Sequence, residues 1–71
     1  MTTTLWEGRD NGAVYFVAGE PVARIQRRPH SDTYSCLVLR GQTMHSCFAL
    51  DYAQAQRWVE QRVADLGWVS K

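Results

Sequence analysis

Residues 34–52 read YSCLVLRGQTMHSCFALDY. Two apolar-rich runs flank Gly41-Gln42, and a two-residue loop with glycine in first place suits the type II′ turn of a β-hairpin. That turn sets a register in which Arg40 pairs with Thr43, Val38 with His45 and Cys36 with Cys47. One face of the hairpin then carries Tyr34, Cys36, Val38, Arg40, His45 and Cys47, and the other carries Leu37, Leu39, Met44 and Phe48. The second set is large and apolar apart from Ser46, so it is expected to lie under whatever packs on the hairpin.

A helix begins where the hairpin ends. Asp51 can cap its N-terminus with Gln54 three residues on, a capping box, and Leu50 before the cap can staple onto Ala55. Tyr52, Ala55, Val59, Val63 and Leu66 recur at helical spacing as one apolar stripe, with Gln54, Arg57, Gln61 and Asp65 on the other side. Gly67 sits where a left-handed residue closes a helix, and Trp68 after it completes a Schellman motif ending near Leu66.

Toward the N-terminus, turn signals at Asp10-Asn11-Gly12, Gly19-Glu20-Pro21 and Pro29-His30-Ser31-Asp32 bound two further strands, at residues 13–18 and 22–28. With 34–40 and 43–49 these make four, and a less regular extended piece falls around 5–9. A turn on Gly19-Glu20 sets Phe16 against Ala23 and Val14 against Ile25 on the core side, leaving Tyr15 and Arg24 outside. The expected architecture is α+β: a four-stranded antiparallel β-meander with one C-terminal α-helix packed on one face. Residues 1–4 are expected to be a flexible N-terminus and 5–71 a single domain.

Composition narrows the function classes. The chain has 71 residues, 45% hydrophobic and 21% charged, with a net charge of +1, a globular balance without a dominant electrostatic field. No apolar run is long enough for a membrane span and no signal-peptide pattern opens the chain, so a cytoplasmic protein with no membrane association is expected. Two cysteines make no disulfide framework, and reduced thiols are the expectation. His30, Cys36, His45 and Cys47 contain zinc-ligating atoms, but their spacing fits no finger or ribbon. Cys36 and Cys47 beside His45 lack an oxyanion donor loop, and no glycine-rich phosphate loop is present. Neither catalysis nor a cofactor or metal is expected.

The helix leaves one face of the expected sheet uncovered, and on it fall Tyr15, Arg24, Arg28, Tyr34, Val38, Arg40 and His45. Tyrosine, arginine and valine together suit an interface, and seven arginines against one lysine favour bidentate and stacked contacts. These seven residues are the candidate binding site.

The segment Pro21-Val22-Ala23-Arg24-Ile25-Gln26-Arg27-Arg28-Pro29, the strand to Arg40 and the run from Cys47 to Ala55 resemble the three strands and helix start of AP2-type and integrase arm-type DNA-binding domains. That resemblance implies a major groove read by the open sheet face. The sheet ending in a phenylalanine-capped helix with Ala55, Trp58, Val59 and Glu60 is also similar to small phage and prophage proteins, several of them stoichiometric inhibitors. The expected function is a small non-catalytic binding module of the kind mobile elements encode, docking the open sheet face on a protein partner or, as a homodimer, on itself. Nucleic acid on the same face is the alternative. Low net charge and exposed valines favour protein.

Overall fold

In the computed structural model, which describes residues 3–69, every run of alternating or apolar residues becomes a strand, including the N-terminal one. The order is β1 (Thr4–Arg9), β2 (Gly12–Val17), β3 (Glu20–Arg27), β4 (Tyr34–Arg40), β5 (Thr43–Ala49) and α1 (Tyr52–Asp65). The strands form one antiparallel sheet in sequence order. The sheet thus has five strands where four were expected. The extended piece around residues 5–9 is a full edge strand pairing from Thr4↔Val17 to Arg9↔Gly12, and the Thr3 carbonyl accepts from Ala18 N–H at 2.8 Å. Met1, Thr2, Ser70 and Lys71 lie outside the described residues, and with them the first half of the N-terminus expected to be flexible.

The β4–β5 hairpin has the register that Gly41-Gln42 implies, Arg40↔Thr43 through Cys36↔Cys47 to Tyr34↔Ala49, with Gly41 at φ +60°. The β2–β3 hairpin does not turn on Gly19-Glu20. Its turn is Ala18-Gly19, at φ 52° and 82°, so Val17 pairs with Glu20 and Phe16 with Pro21. Positive φ at both central residues is the type I′ geometry that matches strand twist, and here it is adopted at the cost of strain on an alanine. A bulge between Tyr15 and Phe16 then shifts the register to Tyr15↔Ala23 and Val14↔Arg24. The bulge leaves Val22 and Ala23 both buried. Gly12 is required at the other end of this pair, since a Cβ there would run into the Ile25 carbonyl.

Helix α1 has both expected ends. Asp51 accepts from Gln54 N–H at 2.7 Å, while Gln54 Oε1 accepts from the N–H of Leu50 at 2.8 Å, so the two side chains serve two backbone donors at the entry. Leu50 itself is 75% exposed and makes no staple on buried Ala55. Gly67 at φ 77° donates to Ala64 O and Trp68 to Val63 O, the paired bonds of a Schellman closure.

The helix packs on the sheet through Ala55, Val59 and Val63, all fully buried. Their counterparts are Ala23, Ile25, Cys36, Val38 and Ala49, with Tyr15, Val17 and Val22 extending the core toward β1. Ala23 and Ile25 lie on the core side as expected, but on β2, β4 and β5 the buried set is the reverse of the expected bed. Leu39, Met44 and Phe48, expected in the core, are 46%, 65% and 66% exposed, and Val14, Phe16 and Leu37 beside them are half-buried. The physical reason lies in the stripe: alanine and valine let the helix approach closely, and Val38, Cys36 and Ala49 fill that narrow gap where leucine and phenylalanine would overpack it. Trp6 secures the β1 end, its ring 4.6 Å from that of Tyr15 and its indole N–H donating to Glu60 of α1 at 2.9 Å.

Candidate functional site

Directly opposed residues in an antiparallel sheet share a face, so the pairings sort the open face into three rows. At one end lie Leu5, Phe16 and Pro21, with Leu39 and Met44 across the sheet. The middle row runs Glu7, Val14, Arg24, Leu37 and Ser46. The far row is Arg9, Gly12 and Gln26, followed by Ser35 and Phe48. The face is therefore graded, wholly apolar near the Gly19 and Gly41 turns and polar toward the opposite end, where Phe48 stands with Arg28.

Val14, Pro21, Arg24, Leu37 and Leu39 surround a depression of about 310 Å³ over the β3 bulge. Its lining spans the bulged stretch Pro21 to Arg24 on β3 and reaches Leu37 and Leu39 on β4. Single exposed apolar residues are ordinary on a protein surface, but a contiguous set on one sheet face is not.

Of the seven residues expected to bind, the structure brings only Arg24 and Arg28 to this face. Tyr15 is 5% exposed beneath Trp6, and Val38 is fully buried under α1. Tyr34, half-buried on the helix side, meets Tyr52 edge-on at 5.7 Å between ring centroids. His45 is half-buried opposite Val38, and Arg40 is exposed on the helix side, 3.7 Å from Glu20 with its guanidinium 5.5 Å from the Trp68 ring. The cause is an inversion on β2, β4 and β5, which carries Tyr15, Tyr34, Val38, Arg40 and His45 to the helix side, while β3 keeps the expected parity and leaves Arg24 and Arg28 on the open face. The residues missed are Leu5, Val14, Phe16, Leu37, Leu39, Met44 and Phe48. Their signal was present as apolar character on both parities of β2 and β4, which marks two faces needing cover without saying which the helix takes.

The arginines differ in their partners. Arg9 pairs with Glu7, Arg27 lies 3.6 Å from Asp32 and Arg40 pairs with Glu20. Among the described residues Arg24 and Arg28 on the sheet, like Arg57 and Arg62 on α1, have no acidic partner. Arg28 instead lays its guanidinium 4.5 Å from the Phe48 ring centroid, a cation–π contact on the open face.

On the covered face Cys36 and Cys47 are opposed neighbours with free thiols. Burial, the neighbouring Cys47 and a hydrogen bond to it push the Cys36 thiol up to about 12. Burial also raises Cys47, against the hydrogen bond from Cys36 and the charge of Arg62, which act the other way. Both thiols are therefore protonated at neutral pH, and nucleophilic attack needs the thiolate. Among the described residues no group of three or more His, Cys, Asp or Glu side chains is placed to hold a metal ion, and no helix is long and apolar enough to cross a membrane. No protein-family model, curated protein or solved structure matches this chain.

Proposed function

We propose that this chain is a small non-catalytic binding module that docks the open face of its sheet on a protein surface. The observation that carries this reading is the exposure of Leu5, Leu39, Met44 and Phe48, at 59%, 46%, 65% and 66%, on one face of a chain that has few large apolar residues to spare. A contiguous apolar sheet face rimmed by arginine has the anatomy of an interface core with anchors. Nucleic acid fits less well: leucine, methionine and phenylalanine offer phosphates nothing, and the two arginines on this face without an acidic partner, Arg24 and Arg28, release few counterions. A protein encoded by a mobile element, acting by stoichiometric capture of its target, would work in this manner.

The test is a capture experiment carried through to reconstitution. The chain, its Leu39→Ser/Phe48→Ser variant and its Arg57→Ala/Gln61→Ala variant on the solvent side of α1 are each presented to an extract of the source organism, with nuclease and without. Captured protein is then purified and rebound to the isolated chain. The expected result is nuclease-resistant binding, at least tenfold weaker for the sheet variant and unchanged for the helix variant. Binding that follows the helix variant instead, or that vanishes with nuclease, overturns the reading.

A further inference from the structure

We infer that the occupant of the open face is a segment of another protein that combines apolar side chains with carboxylates, one of them seated on Arg24. The inference rests on the docking role proposed for this face and adds the chemistry of the partner. Arg24 stands on the central strand, directly opposed by Val14 on β2 and Leu37 on β4, at the wall of the depression. Three other arginines have carboxylates of their own chain beside them, and Glu7, the one acid on this face, is engaged by Arg9. Any surface that covers the apolar row also strips water from the Arg24 guanidinium, and a charge desolvated without a partner is prohibitively costly. The covering surface must therefore bring an anion, and a carboxylate matches the guanidinium fork. Arg28 has the same need in weaker form: its guanidinium lies 4.5 Å from the Phe48 ring centroid and has no acidic partner among the described residues, so it can take a second acid.

The charge pattern selects against the other occupants. Two copies stacked face to face with their central strands in register set Arg24 against Arg24, and Glu7, the one acid on this face among the described residues, is already engaged by Arg9. Nucleic acid answers the arginines but leaves Leu5, Phe16, Leu39 and Met44 against phosphate and sugar.

The experiment is a selection of random 16-residue peptides displayed on a surface, panned against the chain and counter-selected against its Leu39→Ser/Phe48→Ser variant. Recovered peptides are expected to carry two or more Asp or Glu among Leu, Phe, Ile and Trp. Their affinity is expected to fall at least tenfold in Arg24→Gln and to recover in part in Arg24→Lys, with the melting temperature of both variants unchanged. Recovered peptides that are neutral or basic, or that bind Arg24→Gln as well as the parent, overturn the acidic partner while leaving the docking face standing. If counter-selection removes nothing, the docking face itself falls and this inference with it. A chain that dimerises in sedimentation, with its Leu39→Ser/Phe48→Ser variant monomeric, assigns the face to a second copy and likewise overturns the inference.

Discussion

Cys36 shows how a single buried side chain writes itself into the pH dependence of the whole fold. Its thiol is pushed up to about 12, from an ordinary value near 9, chiefly by burial. An acid whose neutral form is favoured by folding contributes stability that is fully present below its unfolded value and is lost as pH rises through its folded one. Stability is therefore expected to decline from about pH 9 upward, and Cys36→Ala to flatten that decline relative to the parent. Urea titrations of both proteins between pH 7.5 and 10.5 measure the difference, and parallel curves would remove the thiol from the account. Ala18 is the opposite case, a residue that costs stability at every pH. Its φ of 52° is left-handed, where a Cβ crowds the backbone and glycine does not. Ala18→Gly is expected to stabilise the protein by up to about 1 kcal/mol, read as a higher urea midpoint at unchanged slope.

At the scale of elements, the question is which face of each strand the helix takes. Val38 and Leu39 are chain neighbours on β4 with opposite fates, so truncating each gives a clean contrast. Val38→Ala removes two buried methyl groups and opens space under α1, a cost of about 2 kcal/mol. Leu39→Ser, on the open face, is expected to cost about 1 kcal/mol or less. Thermal melts of the pair settle the orientation of the sheet, and a larger loss at Leu39 would reverse it. Much of the fold is legible in the sequence: Gly41-Gln42 sets the β4–β5 register, and Asp51, Gln54 and Gly67 mark both ends of α1. What failed was parity. In β4, Cys36 and Val38 alternate with Leu37 and Leu39, so both faces read as apolar and size alone points the wrong set to the core. The arbiter was the helix stripe, whose alanine and valines call for small partners. The β2–β3 error came from Ala18, since no residue rule favours alanine at positive φ over a turn on Gly19-Glu20. Arg24 and Arg28 stand on the open face as their places in the sequence led one to expect, but their company of Leu37, Leu39 and Phe48 depends on which face of β4 and β5 the helix takes.

For the whole molecule, the distribution of side chains has an energetic consequence. The chain covers one sheet face with one helix, a slab of 38 × 20 × 20 Å, and its fully buried side chains are valine, isoleucine, cysteine and alanine. A small two-layer domain is marginal in any case, and this one holds leucine, methionine and phenylalanine outside its core, where they contribute little to folding. Stability withheld in this way is recovered when the open face is covered, because a partner that binds only the folded state raises its stability by mass action. With partner at a hundred times the dissociation constant the gain is about 2.7 kcal/mol. In a domain of this size that corresponds to a rise in melting temperature of roughly 10–20 °C. The effect is specific to the face: Leu39→Ser/Phe48→Ser is expected to melt near the parent when alone and to show no rise with partner, whereas Arg57→Ala/Gln61→Ala keeps the full rise. Scanning calorimetry of the three proteins, with and without the captured partner, makes the comparison. A rise that persists in the sheet variant would place the contact on α1 or on an edge strand, and the exposed apolar row would then need a cause other than docking.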